Sequence, residues 1–289
     1  MQAEIADQEM QGVDLSHLTT FRMSGSVQKL FKPGNVEEFT EIIKSFLKVG
    51  KNFKVLGGGS NTIIRNGKLP LISTSKLSKF KFVGNYVQAQ VGVKLSTIVK
   101  EAEKRGLSGI EFASGIPGTI GGAIFMNSGA FGGEISQCVE KVTVVDKDGI
   151  LNELDKSKLD FAYRSSIFHN QEMWITSCLL HLNYSTCEKV SERTQSFLEI
   201  KKRTQPLAMP SVGCIFKNPE SGYAAQLIDA AGLKGFKVGG VKVSEKHAGF
   251  FVNVGKATFE NFEMVYNEVF KRVREKFGVE LEPEITIIW

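Results

Sequence analysis

The sequence predicts an α+β fold that ends in a small α+β domain. Three observations support this. Short apolar strands and amphipathic helices occur along the whole chain. A polar helix predicted at residues 186–203 is followed by a Pro-bearing connector, residues 205–210, which marks a domain boundary near residues 190–205. Beyond it, helix and strand patterns fill a compact stretch that reaches the end of the chain.

The first part of the chain begins with a helix at residues 35–49, for which Asn35 is the predicted N-cap and Gly50 the end. A strand at residues 53–56 leads directly into the turn Gly57–Asn61. A second strand, residues 62–65, follows. This strand-turn-strand order excludes a dinucleotide fingerprint of the GxGxxG type, which needs a helix behind its glycines.

The middle of the chain alternates between strands and helices. Strands are predicted within residues 70–93, a helix at 94–105, a hairpin at 139–153 with its turn at 146–149, and a strand at 173–184. The C-terminal domain is predicted to contain helices at 224–231 and 258–277 and strands at 238–243, 249–254 and 285–288.

Composition narrows the class of protein. Of the 289 residues, 42% are hydrophobic, and no apolar run is long enough for a membrane span. The start of the chain lacks a secretory pattern, so we expect a cytoplasmic protein that is not inserted in a membrane. The net charge of +5 is spread out apart from residues 201–203, which favours small anionic ligands over nucleic acid.

Cysteine and histidine spacing predicts no metal site. No two cysteines form a CxxC pair and no two histidines form an HxxxH pattern. In a cytoplasmic chain we expect all the thiols to be reduced. The cysteines are Cys138, Cys178, Cys187 and Cys214.

Residues 114–134 are unusually rich in glycine, with 7 of the 29 glycines of the chain. The same stretch carries Ile116, Ile124, Phe125 and Phe131, which argues against a flexible linker. We therefore predict that the backbone here approaches a ligand closely; a tight crossing inside the core is the alternative.

Five motifs occur in order: Gly57–Asn61, residues 114–134, residues 163–168, residues 213–219 and residues 281–284. Together they resemble the UDP-N-acetylenolpyruvoylglucosamine reductase family, FAD enzymes of bacterial cell-wall synthesis. The resemblance implies two FAD-binding lobes of the PCMH or vanillyl-alcohol-oxidase type, residues 1–80 and 81–195. A substrate-binding domain, residues 196–289, would follow, in the short form of the family.

The resemblance also implies where FAD binds, without a covalent bond. The glycine turn would hold the pyrophosphate, and the glycine-rich segment would line the rest of the cofactor. The residues implied are Gly57, Gly58, Gly59, Ser60, Asn61, Ser114, Gly115, Ile116, Pro117, Gly118, Gly122, Asn127, Ser128, Gly129 and Ala130.

The implied reaction reduces UDP-N-acetylglucosamine enolpyruvate to UDP-N-acetylmuramate, with NADPH as the reductant. Arg164 would bind the substrate carboxylate, Cys214 would donate a proton, and Glu284 would assist it. Serine is more common than cysteine at position 214 in the family. A cysteine thiol is a stronger acid than a serine hydroxyl, so the donor role survives the change. Glu282, two residues before Glu284, is a competing carboxylate.

Further residues are implied in substrate binding: Tyr163, Lys217, Asn218, Lys234 and His247. We expect a monomer. Two alternatives stay open at this point. One is another flavin oxidase of the same fold that acts on an alcohol or a sugar lactone. The other is a non-catalytic nucleotide-binding protein.

Overall fold

The computed structural model describes residues 9–65, 67 and 69–288. The helices are α1 (Val36–Lys48), α2 (Leu95–Lys104), α3 (Ile120–Phe125), α4 (Cys187–Thr204), α5 (Ala224–Ala230) and α6 (Phe259–Phe277). The strands up to the middle of the chain are β1 (Glu9–Asp14), β2 (Ser26–Phe31), β3 (Lys54–Leu56), β4 (Thr62–Ile64), β5 (Leu71–Ser73), β6 (Phe80–Val83), β7 (Tyr86–Gln90), β8 (Leu107–Ser108), β9 (Gly129–Ala130) and β10 (Gly133–Glu134). The later strands are β11 (Val139–Val145), β12 (Leu151–Asp155), β13 (Trp174–His181), β14 (Asn183–Tyr184), β15 (Ser211–Cys214), β16 (Lys237–Val238), β17 (Val241–Val243), β18 (Phe250–Asn253) and β19 (Thr286–Ile288).

The chain divides into two compact units. Among the described residues, the first comprises 9–11, Lys29–Gly58 and Leu69–Glu199. The second comprises Gly12–Gln28, Gly59–Lys68 and the chain from Ile200 onwards. The second unit therefore contains most of the C-terminal domain that was predicted from composition. The predicted lobe boundaries at residues 80 and 195 remain predictions.

The first unit contains a parallel and an antiparallel sheet. Strands β2, β5 and β3 run parallel, and β12, β11, β13, β7 and β6 form an antiparallel sheet in that order. Helix α1 buries Phe39, Ile42 and Ile43 in the core. Its predicted N-cap is confirmed, because the Asn35 side chain accepts a hydrogen bond of 2.8 Å from the Glu38 N–H.

The second unit is built on an antiparallel sheet of strand order β15, β18, β17, β16, against which α6 packs. Strand β19 pairs in parallel with β4, with Thr286 opposite Thr62. Thr258 caps the start of α6, and Gly278 ends it in the left-handed conformation at φ 67°. The turn Gly57–Asn61 thus leads from a strand of one unit to a strand of the other.

The predicted strand at 238–243 is wrong, because the structure forms a hairpin there from β16 and β17. Val238 pairs with Val241, and Gly239 adopts φ 51°, a conformation that favours glycine. Helix α3 was not predicted at all. No helix in the described residues is long and apolar enough to span a membrane.

Candidate active site

The two glycine runs meet in the first unit. A Cβ on Gly57 would lie 2.9 Å from the Thr119 Oγ1, and one on Gly58 would lie 2.8 Å from the Gly118 Cα. Neither position has room for a side chain, because the Thr119 side chain lies against Gly57 and the Gly118 backbone lies against Gly58. Two predicted walls of the cofactor site, Gly57–Gly58 and Gly118, are brought into contact.

Helix α3 does not offer its first N–H groups to a ligand. The N–H groups of Ile120 and Gly121 donate to the carbonyls of Val93 and Val91, both at 2.9 Å. The Gly122 N–H donates to the Thr119 side chain at 3.4 Å. By contrast, the N–H groups of Gly57 and Gly58 donate no hydrogen bond within the described part of the chain.

These observations test whether the site suits FAD. Two adjacent N–H groups without an acceptor among the described residues, on a turn where a side chain cannot fit, suit an anionic group such as a pyrophosphate. Binding of a pyrophosphate by this turn stays a prediction. Gly121 is needed for packing inside the unit, because a Cβ there would overlap the Val91 side chain.

Arg164 lies in a tight turn that is tied to the glycine-rich segment. Ala162 and Ser165 pair across the turn, and Arg164 adopts φ 54°. Three hydrogen bonds hold the turn in place. The Asn127 side chain donates to the Ala162 carbonyl at 3.0 Å, the Arg164 Nη2 donates to the Gly129 carbonyl at 3.0 Å, and the Ser166 Oγ donates to the Phe125 carbonyl at 2.6 Å.

The Arg164 guanidinium is therefore oriented by the protein before any substrate arrives. Its central carbon also lies 5.1 Å from the centre of the neighbouring Tyr163 ring. Tyr163 is about half exposed. An oriented guanidinium fork beside an exposed aromatic ring is suited to a carboxylate ligand.

In the second unit, hydrogen bonds to backbone carbonyls join Asn61, Glu284 and the residue after Cys214. The Asn61 side chain donates to the Glu284 carbonyl at 2.9 Å, and the Glu284 N–H donates to the Ile215 carbonyl at 2.8 Å. The Thr286 N–H in turn donates to the Asn61 carbonyl at 2.9 Å. The last residue of the predicted pyrophosphate turn and the two predicted proton-transfer residues are therefore neighbours.

Cys214 ends strand β15 and is half-buried. The strand is irregular just before it, with Gly213 at φ 82° and a shift of register between Ser211 and Cys214. Thr20 supports this strand, because its hydroxyl donates to the Ser211 carbonyl at 2.6 Å.

The other three cysteines are either more buried or more exposed than Cys214. Burial raises the pKa of the Cys138 thiol and that of the Cys178 thiol to about 12. Cys138 also donates to the Gly109 carbonyl at 3.0 Å. Cys187 is exposed, and all of these cysteines are free thiols. Cys138 and Cys178 are therefore unreactive residues of the core.

Lys217 and Asn218 follow Cys214 on the same segment. Lys217 pairs through its backbone N–H with the Glu282 carbonyl at 2.8 Å and through its ammonium with the Glu282 carboxylate at 3.4 Å. The Glu282 carboxylate is thus paired with Lys217, so it is a weaker candidate than Glu284 for a role in proton transfer. The Asn218 side chain accepts from the Ala224 N–H at 3.1 Å, at the start of α5.

The pKa of His247 responds to its surroundings, which include Lys234. Burial lowers the pKa of His247, and the charge of Lys234 lowers it further. The Gly249 N–H donates to the His247 Nδ1 at 3.2 Å, so the neutral ring carries its proton on Nε2 and presents a donor there. Lys234 also lies 2.5 Å from the Asp229 carboxylate. The Lys234 ammonium and the His247 Nε2–H are both hydrogen-bond donors, and they suit a ligand that accepts hydrogen bonds.

Two supporting residues were missed in the sequence. Thr119 caps α3 and contacts Gly57, and a threonine before a helix is a recognisable signal. Glu111 is buried, accepts from the Ser108 hydroxyl and the Gly109 N–H, and pairs with Arg193 at 3.6 Å. It fixes the loop that leads to Ser114, and no local pattern reveals a buried carboxylate of this kind.

Comparison with known proteins agrees with this geometry. A family model described as FAD binding domain matches residues 27–155, and one described as UDP-N-acetylenolpyruvoylglucosamine reductase, C-terminal domain, matches residues 205–288. The UDP-N-acetylenolpyruvoylglucosamine reductase of Caldicellulosiruptor saccharolyticus is 38% identical, over 95% of this chain and 90% of its own. The chain belongs to the UDP-N-acetylenolpyruvoylglucosamine reductase family.

Other members of the reductase family give the same result. The reductase of Clostridium tetani is 39% identical over 93% of this chain and 89% of its own. The crystal structure of the Thermus caldophilus reductase, MurB, superposes with a TM-score of 0.82 and 30% identity, over 96% of this chain and 98% of that chain. The predicted fold class, an FAD-binding region followed by a small α+β domain, is confirmed.

Proposed function

We propose that this chain catalyses the NADPH-dependent reduction of UDP-N-acetylglucosamine enolpyruvate to UDP-N-acetylmuramate, with non-covalently bound FAD. The activity would serve peptidoglycan precursor synthesis in the cytoplasm. Membership of the reductase family supports the class of reaction. The observation that carries the proposal is the hydrogen-bonded chain from Asn61 through Glu284 to Ile215, beside Cys214.

Arg164 would bind the carboxylate of the enolpyruvyl group. Its guanidinium is already oriented by the Gly129 carbonyl and by the Tyr163 ring. A charge-assisted, two-pronged contact holds a carboxylate strongly and stabilises negative charge that grows on it during the reaction. This role needs no rearrangement of the Arg164 turn, which three hydrogen bonds fix.

Cys214 would complete the reduction as a proton donor. A hydride adds to the terminal carbon of the enolpyruvyl double bond, and the electron pair of that bond moves toward the carboxylate. The Sγ–H bond of Cys214 then breaks, its proton goes to the carbon next to the carboxylate, and the thiolate regains a proton from water. Glu284 would orient this transfer, since its backbone is bonded to the residue after Cys214.

The cofactor would be held by Gly57–Asn61 and by the predicted residues of the glycine-rich segment. When bound, FAD would supply the hydride that NADPH provides. The paired donors of Gly57 and Gly58 would bind its pyrophosphate, as their contact with Gly118 and Thr119 leaves no room for side chains. Lys234 and the Nε2 proton of His247 would contact the UDP-sugar.

The proposal is tested by steady-state kinetics on the purified yellow protein. We expect NADPH oxidation that depends on the enolpyruvyl substrate and a product heavier by two hydrogens. Acid precipitation should release the flavin into the supernatant. Flavin that stays on the precipitated protein, or NADPH oxidation indifferent to the substrate, would show that the proposal is wrong.

A further inference from the structure

The hairpin β9–β10 has an unusual turn. Ala130 pairs with Gly133, and the two residues between them, Phe131 and Gly132, have φ values of 54° and 80°. Turns of this kind usually carry Asn-Gly or Asp-Gly, because a residue with a bulky side chain is strained at positive φ. Phe131 therefore occupies a position that local conformation disfavours.

The Phe131 ring is held by an aromatic partner from helix α4. It stacks on Phe197 with the ring centres 4.2 Å apart and the planes only 3° from parallel. Phe131 nevertheless remains 39% exposed, so burial in the core does not explain its presence. The stack fixes the tip of the hairpin on the rigid surface of a helix of 18 residues.

The other end of the same hairpin contacts Arg164. Gly129 pairs with Glu134, and its carbonyl accepts the 3.0 Å hydrogen bond from the Arg164 Nη2. A Cβ on Gly129 would lie 2.5 Å from the Gly133 carbonyl oxygen, so the two strands are in close contact. The position of the Gly129 carbonyl is therefore set by the hairpin, and the hairpin is anchored through Phe131.

We propose that Phe131, through its stack on Phe197, is a positioning residue for Arg164. The hairpin transmits the position of α4 to the Gly129 carbonyl and so to the guanidinium that meets the substrate carboxylate. This inference rests on the proposed function of Arg164. Without the stack, the strained turn relaxes, the Gly129 carbonyl moves and the guanidinium loses its alignment.

The test compares Phe131→Ala and Phe197→Ala with Phe131→Tyr, which keeps the ring. We expect the alanine variants to slow reoxidation of the NADPH-reduced flavin by the enolpyruvyl substrate about tenfold to a hundredfold. Flavin content and flavin reduction by NADPH should stay normal, and Phe131→Tyr should react within about twofold of the native rate. Phe80→Ala is the matched control, because Phe80 is 37% exposed in the same unit and also contacts a phenylalanine.

A double variant decides whether Phe131 acts through Arg164. In an Arg164→Ala background, Phe131→Ala should cause no further slowing. An equal slowing in both backgrounds, or loss of flavin from Phe131→Ala, would overturn the inference. If Arg164→Ala alone reacts normally, the proposed role of the arginine fails; if only Phe131→Ala reacts normally, the positioning role alone fails.

Discussion

The two units hold their predicted site residues in different ways. In the first unit, glycines and left-handed residues such as Asn127 and Arg164 shape the backbone, and the Gly129 carbonyl orients the Arg164 guanidinium. In the second unit, Cys214 and Glu284 lie on paired extended segments. Under the proposed function, residues of the first unit would position the substrate and residues of the second would supply protons. Substitutions should therefore have different signatures in the two regions.

The largest effect is expected at Cys214. Cys214→Ala removes the proposed proton donor and should lower kcat by about a thousandfold, whereas Cys214→Ser keeps a donor and should retain much of the activity. Steady-state NADPH oxidation measures both. A Cys214→Ala enzyme with native kcat would contradict a proton-donating second unit.

Thiol alkylation should inactivate the enzyme through the same residue. Cys138 and Cys178 are buried with pKa values raised to about 12, so only Cys187 and Cys214 should react in the folded protein. The Cys187→Ser substitution removes the exposed thiol that has no proposed role in the reaction. Mass spectrometry should then find one label, loss of activity in step with labelling, and protection by substrate. Full activity after labelling at Cys214 would argue against its role.

Two glycine substitutions separate packing from ligand contact in the first unit. Gly58→Ala forces a Cβ to within 2.8 Å of the Gly118 Cα and should lower the free energy of unfolding by about 1–3 kcal/mol. At Gly122 the nearest atom would be 3.7 Å away, so Gly122→Ala should leave stability unchanged or slightly raised.

The decisive measurement for Gly122→Ala is its flavin affinity, which is determined by fluorescence titration of the apoprotein. We expect weaker flavin binding without loss of stability, as befits a residue that contacts the cofactor. Native affinity would remove Gly122 from the proposed cofactor site, and lowered stability would mean that the helix itself had been disturbed.

A further effect, on stability alone, concerns a buried charge in the second unit. Burial lowers the pKa of Lys201 to about 8. Between that value and about 10.5 the unfolded chain binds more protons than the folded one, so stability should rise with pH across this window, by up to roughly 3 kcal/mol. Below pH 8 the contribution is constant.

Urea unfolding at several pH values measures this slope. Lys201→Met should remove most of it, whereas the exposed neighbour in Lys202→Met should leave it intact. A native slope in the Lys201→Met protein would assign the effect to other lysines.

The sequence predicted more of the fold than of the site's geometry. Helix α1 with its Asn35 cap and α6 with its Gly278 end follow from local signals that the structure bears out. Helix α3 does not, because Gly121 and Gly122 are poor helix formers; hydrogen bonds to Val91 and Val93 hold its first turn. Those carbonyls are distant in sequence, so no local pattern predicts these hydrogen bonds.

The same limit applies to the candidate site residues. Motif resemblance selected Arg164, Cys214 and Glu284, whose roles stay predictions. It could not indicate that Gly129 orients the arginine or that Asn61 bonds to the Glu284 backbone, because these contacts join segments 35 and 223 residues apart. Similarly, Phe131 and Phe197 looked like ordinary apolar residues until the fold placed their rings together.

The most direct test of the account is a half-reaction experiment on Cys214. The protein is reduced with NADPH without oxygen, then mixed with the enolpyruvyl substrate while the flavin absorbance is followed. We predict normal reduction in the native, Cys214→Ser and Cys214→Ala proteins, and a return of absorbance that is rapid only in the first two. A rapid return in Cys214→Ala, or no return in the native protein, would contradict the account.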